Sequence, residues 1–451
     1  ILQKPLAPNI VLMLDDSGSM GSNYMPDGVS GIDTTVNGIY YNNNTYYQPP
    51  KYADGSDYAN ATFPVAYVNG FDTSSSKENI QKYKKGWDYF KKSGSTVGGK
   101  NSGNCGYDNK YNCVFRYDDP STNVENYVGE SCAGFDPSTC HLATDPLTFT
   151  TSSGTTVTTT YGQNVANWFS YYQTRILMAK TGLTLAFSGL DKTFRFGFAS
   201  INGRNTADIP SPQYPFSTST NPSNELAEVQ PFGDGKSTDQ KTKFWTWITN
   251  ITPDNVTPLR GALQAVGEYY QTAQPWQTSS SDTTEYACRP SYTILTTDGF
   301  WNGSDPSVEN ADGKNGPKIT TPSAYQYLKT APYQDGYSNT LADVAMYYWE
   351  NDLRTSVANE VPTTPNDPAF WQHMTTFTMG LGWDPTALIR TKSGDATLTV
   401  PQIFDWARTG TPPSGSTLTS TSNIWPEPKS GDINNIADLA HAAVNGHGDF
   451  F

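Results

Sequence analysis

Asn9-Ile10-Val11-Leu12-Met13-Leu14-Asp15-Asp16-Ser17-Gly18-Ser19-Met20 reads as a short apolar strand that runs directly into Asp-x-Ser-x-Ser. A carboxylate and two hydroxyls at alternate positions just past a strand end form three sides of a cage for a small hard cation. Such oxygen donors suit Mg²⁺, Mn²⁺ or Ca²⁺ and suit zinc poorly. Asp15, Ser17 and Ser19 are therefore candidate metal ligands. One carboxylate and two hydroxyls leave a divalent ion under-neutralised, and such an ion can accept a carboxylate from a partner.

The rest of the chain decides whether that cage has a fold around it. The 451 residues are polar overall, 36% hydrophobic and 16% charged, with 28 Tyr and 11 Trp, so a large core is affordable but much of the chain must be loop. The formal charge is −14, from 43 acidic and 29 basic residues, which argues against nucleic acid or an anionic membrane as the main partner. No apolar run approaches the roughly 18 residues that a membrane-spanning helix needs. Ile1 begins without the charged-then-apolar pattern of a signal peptide and without Met, so a leader either removed by processing or left out of this sequence is expected.

The cysteines point to export. Cys105 and Cys113 are eight apart, as are Cys132 and Cys140, within one Gly/Asn/Tyr-rich stretch. Two local disulfides are the preferred pairing, each worth roughly 2–3 kcal/mol by loop closure, although four cysteines allow three connectivities. A zinc site is disfavoured because no Cys-x-x-Cys element is present. Cys288 is left over and reads as a buried free thiol at the start of a strand.

Periodic segments are separated by long polar stretches. Residues 21–163 carry no helical pattern and are expected to form an insertion subdomain of short strands and turns, and 203–240 a smaller polar insertion. Trp168, Tyr172, Ile176, Ala179, Leu183 and Phe187 mark one face of a helix from about 164 to 188. Phe194, Phe196 and Phe198 alternate as a strand. Thr257-Pro258 opens another helix, with Thr as N-cap and Pro at the first helical position. Tyr292–Thr297 is a strand ending in Asp298-Gly299, residues 340–354 a helix, and Met374–Met379 a strand. A Pro/Ser/Thr/Gly-rich linker spans 411–423, and Ile433, Ile436, Leu439 and Ala443 mark a closing helix. Alternating strand and helix predicts an α/β fold, a doubly wound, mostly parallel sheet flanked by helices and interrupted by insertions. The core elements run from Asn9 to Val444, so residues 1–451 are expected to make a single interrupted domain.

Ligands of open α/β sheets bind beyond the carboxyl ends of the strands. That rule brings Asp15, Ser17 and Ser19 together with Thr257 and Asp298, giving three hydroxyls and two carboxylates, with water completing the shell of Mg²⁺. Taken singly, Asp-x-Ser-x-Ser could be a polar turn, Thr257 a helix cap and Asp298-Gly299 a turn. Their occurrence in order, each at a strand end or helix start, favours the metal.

Asp-x-Ser-x-Ser, Thr257-Pro-Leu-x-x-Ala-Leu263 and Leu295-Thr-Thr-Asp-Gly299 resemble the von Willebrand factor A domain and its metal-ion-dependent adhesion site. Longer segments narrow the resemblance. Asn167-Trp-Phe-Ser-Tyr-Tyr-Gln-Thr-Arg-Ile-Leu-Met-Ala-Lys180, Tyr46-Tyr-Gln-Pro-Pro50, Thr340-Leu-Ala-Asp-Val-Ala-Met-Tyr-Tyr348, His373-Met-Thr-Thr-Phe-Thr-Met-Gly-Leu-Gly382 and Asp438-Leu-Ala-His-Ala-Ala-Val-Asn-Gly-His-Gly448 are similar to the PilC/PilY proteins of type IV pili. The resemblance implies a non-enzymatic pilus-tip adhesin and biogenesis factor. It would be exported through the periplasm to the pilus tip at the cell surface, carried on minor pilins, and would bind a host or surface ligand that supplies a carboxylate. It further implies that Ser17, Ser19 and Thr257 touch the metal directly while Asp15 and Asp298 act mostly through water. A second reading is a structural, force-bearing assembly module in which the metal only stabilises the fold. Family members continue into a C-terminal β-propeller. This sequence stops at Phe451 before any propeller, so an N-terminal region is expected.

Other signals carry less. Gly233-Asp-Gly-Lys-Ser-Thr238 lacks the first Gly and the strand of a phosphate loop and reads as a surface turn. Asn310-Ala-Asp-Gly313 has part of a calcium-loop pattern without its first ligand or closing Glu, and also reads as a turn. His141, His373, His441 and His447 show no zinc spacing. No nucleophile elbow or acid–base pair supports an enzyme.

Overall fold

The computed structural model describes residues 6–25, 38–78, 144–382 and 397–451, less a few short internal stretches, together with isolated strand backbone between them. Cys105, Cys113, Cys132 and Cys140 lie outside the described residues, and so does the pairing expected of them.

The principal strands are β1 (Asn9–Leu14), β2 (Arg195–Ser200), β3 (Gln213–Phe216), β4 (Asn224–Pro231), β5 (Ser291–Thr297), β6 (Thr375–Gly380) and β7 (His447–Phe450). The helices are α1 (Tyr161–Tyr171), α2 (Arg175–Phe187), α3 (Gln240–Asn250), α4 (Leu259–Tyr270), α5 (Leu341–Glu350), α6 (Val400–Thr409) and α7 (Asn435–Asn445). The chain forms two compact units. One comprises residues 1–18, 190–247 and 251–451, and the other residues 19–189 and 248–250.

The first unit is built on a seven-stranded mixed sheet of order β3-β4-β2-β1-β5-β6-β7. β1 runs parallel to both β2 and β5, β5 to β6 and β6 to β7, while β4 is antiparallel to β2 and β3. Strand alternation supplies two apolar faces. Val11, Met13, Ala199 and Leu295 share one core with Leu259, Leu263 and Val266 of α4 and with Leu341 and Val344 of α5. Phe196 and Phe198 point the other way, where Phe244 and Trp247 of α3 lie against them at ring separations of 4.8–5.3 Å. The architecture is therefore α/β, with a buried sheet whose central strands read as near-continuous apolar runs.

Several expectations change. Residues 203–240, read as a polar insertion, contribute β3 and β4 to the sheet, and polar Gln213, Asn224, Glu225 and Glu228 had hidden the alternation. α6 and the closing strand β7 were not expected: His447-Gly-Asp-Phe450 is too short and polar to signal a strand, and only pairing with β6 makes it one. Cys288 is half-buried rather than buried, in the turn before β5, and is unpaired among the described residues.

In the second unit, the single helix expected from 164 to 188 is two. Tyr172 closes α1 and Thr174 N-caps α2, its hydroxyl accepting from the Leu177 amide, which restarts the helix. An antiparallel hairpin, Pro146–Thr150 with Thr156–Thr160, leads into α1, whose N-cap is Thr160. The described residues of the aperiodic stretch between 39 and 61 are ordered by side chains of α1. Asn164 accepts from the Tyr47 amide and donates to Thr45 O, Asn167 accepts from the Ala61 amide and donates to Tyr47 O, and the Trp168 indole donates to Ile39 O. Buried loop backbone needs such partners, which explains polar residues on the inward face of a helix.

Candidate metal centre

β1 and β5 are adjacent and parallel, with Leu14 opposite Thr296, so the residues that follow them leave the sheet at one edge side by side. Asp15 follows β1 and Asp298 follows β5. The Asp15 amide donates to Thr296 O at 3.1 Å, and the Thr297 hydroxyl donates to Asp15 Oδ2 at 2.6 Å. Asp15 Oδ1 accepts the Ser17 amide at 2.7 Å, which folds Asp15–Ser17 into an Asx turn. Asp15, Ser17, Thr257 and Asp298 are all at most 6% exposed.

Residues 254–257 close the third side. The Asp254 amide donates to Asp16 O and the Gly18 amide to Asn255 O. The Thr257 amide donates to Asn302 Oδ1 at 2.8 Å and the Asn302 amide returns to Thr257 O at 2.9 Å, tying this loop to the segment after Asp298. Thr257 is not the N-cap. Pro258 takes that place at φ −82°, ψ 51°, in an inverse γ-turn whose Leu259 amide bonds Thr257 O, and no side chain caps α4. The helix-cap explanation of Thr257 therefore fails.

Burial first, and the nearby Asp298 charge second, push the Asp15 carboxyl up to about 7. Burial likewise pushes Asp16 up to about 6, against the hydrogen bond that its Oδ1 accepts from the Asn202 amide. Two close buried carboxylates are costly together unless a proton or a cation lies with them. The donor set, carboxylate and hydroxyl oxygens only, fits Mg²⁺ and fits softer metals less well. Ser19 lies in the short turn Gly18–Gly21 and belongs to the second unit. Thr297, Asn302, Asn202 and Asp16, which position these groups, were not singled out in the sequence. They are hydrogen-bonding residues on ordinary strand ends, and no spacing rule marks them.

A second group escaped the sequence reading altogether. Asp312 and Asp335 come from the connection between β5 and α5 and His441 from α7, yet each can place one ligand atom within 4.8 Å of the others. Asp312 lies in the Asn310–Gly313 stretch read as a turn, and His441 is one of the four histidines without metal spacing.

The first unit is thus an α/β structure with a carboxylate-and-hydroxyl centre at the carboxyl edge of its sheet. Along its whole length the chain is similar to the type IV pilus biogenesis factor PilY1 of Pseudomonas aeruginosa, at 30% identity to the proteins of strains PAO1, PAK and UCBPP-PA14. This similarity over the whole chain supports the PilC/PilY family. It spans 36–37% of the length of these relatives. No family model matches the chain, and no solved structure matches it. Among the described residues, no helix is long and apolar enough to cross a membrane.

Proposed function

We propose that this chain is the metal-dependent adhesion module of a type IV pilus tip protein and contributes to pilus biogenesis. The observation that carries the proposal is the pair Asp15 and Asp298, two buried carboxylates held at adjacent parallel strand ends beside Ser17 and Thr257. The biogenesis part rests on the kinship with PilY1. Asp15, Ser17, Thr257 and Asp298 would hold a divalent cation, Mg²⁺ before Mn²⁺ or Ca²⁺, and the sequence motif adds Ser19 two positions after Ser17. When bound, the ion supplies an electrophilic point to which a partner's Asp or Glu carboxylate can coordinate. The chain's own residues neutralise and orient: the Thr297 hydroxyl and the Ser17 amide fix the Asp15 carboxylate, and the Asn302 bonds fix Thr257. Minor pilins are the proposed carriers, and a host or surface protein with an accessible carboxylate is the proposed ligand.

The test is binding of the purified chain to epithelial-cell monolayers in Mg²⁺ and in EDTA, for wild type and for Asp15→Ala. Binding should need Mg²⁺ and be lost in the variant. Binding unchanged by both would refute the adhesion mechanism. The near-complete burial of the four residues favours a second reading, a force-bearing module in which the cation stabilises the fold. On that reading Ser17→Ala lowers the melting temperature and piliation while the folded variant keeps its affinity for cells.

A further inference from the structure

Asp312, Asp335 and His441 lie in the first unit and are buried, at no more than 4% exposure. The ring of His441 is held flat against the Trp425 indole, with centroids 4.2 Å apart and planes 12° apart. Its Nε2 contacts Tyr333 O. A carbonyl can only accept, so the Nε2 proton points there. In the neutral imidazole, Nδ1 is then a bare lone pair, and it faces Asp335 Oδ2 at 3.7 Å. That separation is too long for a hydrogen bond and sets acceptor against acceptor.

The two carboxylates are arranged to match. Asp312 Oδ1 accepts the Asp335 amide at 2.8 Å, and Asp335 Oδ1 accepts the Tyr337 amide at 2.7 Å. Each therefore turns Oδ2 toward the imidazole, Asp312 Oδ2 lying 3.4 Å from Nε2. Asn445 on α7 donates to Asp312 Oδ2 at 2.8 Å, while its own Oδ1 is buried with no hydrogen-bond partner. Among the described residues, Asp312 has no Lys or Arg within ion-pair range. Burial, together with Asp335 and Asp343, drives its carboxyl well above the ordinary range.

We infer that Asp312, Asp335 and His441 form a second cation site, taking a zinc-class transition ion. One imidazole nitrogen with two carboxylate oxygens suits Zn²⁺, which leaves a fourth position for water. The Nε2–Tyr333 bond is the kind of outer contact that fixes a ligating histidine's tautomer. Ligand atoms within 4.8 Å must close by about 1 Å or more to reach the roughly 3.4 Å edge of a tetrahedral site. This site joins the loop that bears Asp312 and Asp335 to α7, and it does not depend on the adhesion reading.

The experiment uses the full chain, stripped with chelator, loaded with Zn²⁺, desalted and assayed for metal. Wild type and Asp15→Ala should each retain one zinc per chain. His441→Gln should retain less than a tenth as much, and Asp312→Asn should bind at least 10-fold more weakly, with near-UV circular dichroism checking the fold. Should either variant fail to fold, Co²⁺ loaded into wild type decides, because a nitrogen-containing site of low coordination number gives strong visible absorption. Absence of both retained zinc and cobalt bands in wild type would overturn the inference and assign a shared proton to the group. Equal zinc in folded His441→Gln, or loss of zinc in Asp15→Ala, would overturn it as well.

Discussion

Replacing Asp298 by Asn is expected to move stability in opposite directions with and without Mg²⁺. The Asp15 carboxyl stands at about 7 against an ordinary 3.8. That difference of roughly three units corresponds to about 4 kcal/mol of disfavoured ionisation. Burial is the larger cause and Asp298 the second, so about 1–2 kcal/mol is a fair share for the Asp298 charge. Between pH ~4 and ~7 the folded state binds the Asp15 proton while the unfolded chain releases it. Metal-free stability therefore falls as pH rises through that window, and the deficit is complete above it. At pH 8 in EDTA, Asp298→Asn should recover about 1–2 kcal/mol, seen as a melting point raised by about 2–4 °C. At pH 5 the gain should shrink, because Asp15 is already protonated. In Mg²⁺ the order reverses. Wild type gains about 2.7 kcal/mol at an ion concentration 100 times its Kd, and the variant, lacking one of two carboxylates, gains far less. Thermal melts at both pH values, with EDTA and with Mg²⁺, check all four arms. A variant destabilised in EDTA at pH 8, or one with an undiminished Mg²⁺ shift, would refute the reasoning.

Three further outcomes are expected. His373 donates from Nδ1 to Trp371 O and from Nε2 to Asp367 at 3.0 Å, as an imidazolium. Burial opposes both charges, but the pairing outweighs it, holding Asp367 well below and His373 above their ordinary values. The Asp367 contribution is therefore present above pH ~4 and lost in acid, and the His373 contribution is present below pH ~6.5 and lost as pH rises through its raised value. Urea denaturation of His373→Gln across pH 3–9 should lack the alkaline slope and show a weaker acid one, since Trp349 and Thr375 still donate to Asp367. Asn167→Leu should destabilise the second unit by about 2–3 kcal/mol, because the Ala61 amide and Tyr47 O lose their partner, and limited proteolysis should then cut within 45–61. Gly267→Ala should cost about 2–4 kcal/mol by chemical denaturation despite a helix propensity better by about 1 kcal/mol. A Cβ there would come within 2.3 Å of the Tyr348 ring, where α4 meets α5; a neutral result would show that the two helices are not packed this closely.

Local pattern was enough for some of the molecule. β1, β5 and β6 were legible because parallel central strands are buried on both faces and read as apolar runs. α5 was legible because Leu341, Val344, Ala345 and Tyr348 recur at helical spacing, although the helix ends at Glu350 rather than at 354. Asp15, Ser17, Ser19, Thr257 and Asp298 were nameable from sequence because a strand end or helix start marks each one. The break between α1 and α2 was missed because apolar spacing continues across it, and only the Thr174 cap reveals it.

What the sequence determined by itself is the chemistry of one sheet edge: carboxylates and hydroxyls, all oxygen donors, at strand ends. What only the tertiary structure decided is which of these groups meet, and at what cost. Parallel pairing of β1 with β5 sets Asp15 against Asp298 and raises the proton affinity of Asp15. Thr257 is freed from capping by a turn at Pro258 that no propensity foretells. Asp312, Asp335 and His441 are separated by up to 129 positions in the chain (441 minus 312). No local pattern records such a meeting, because the packing of loops onto α7 makes it.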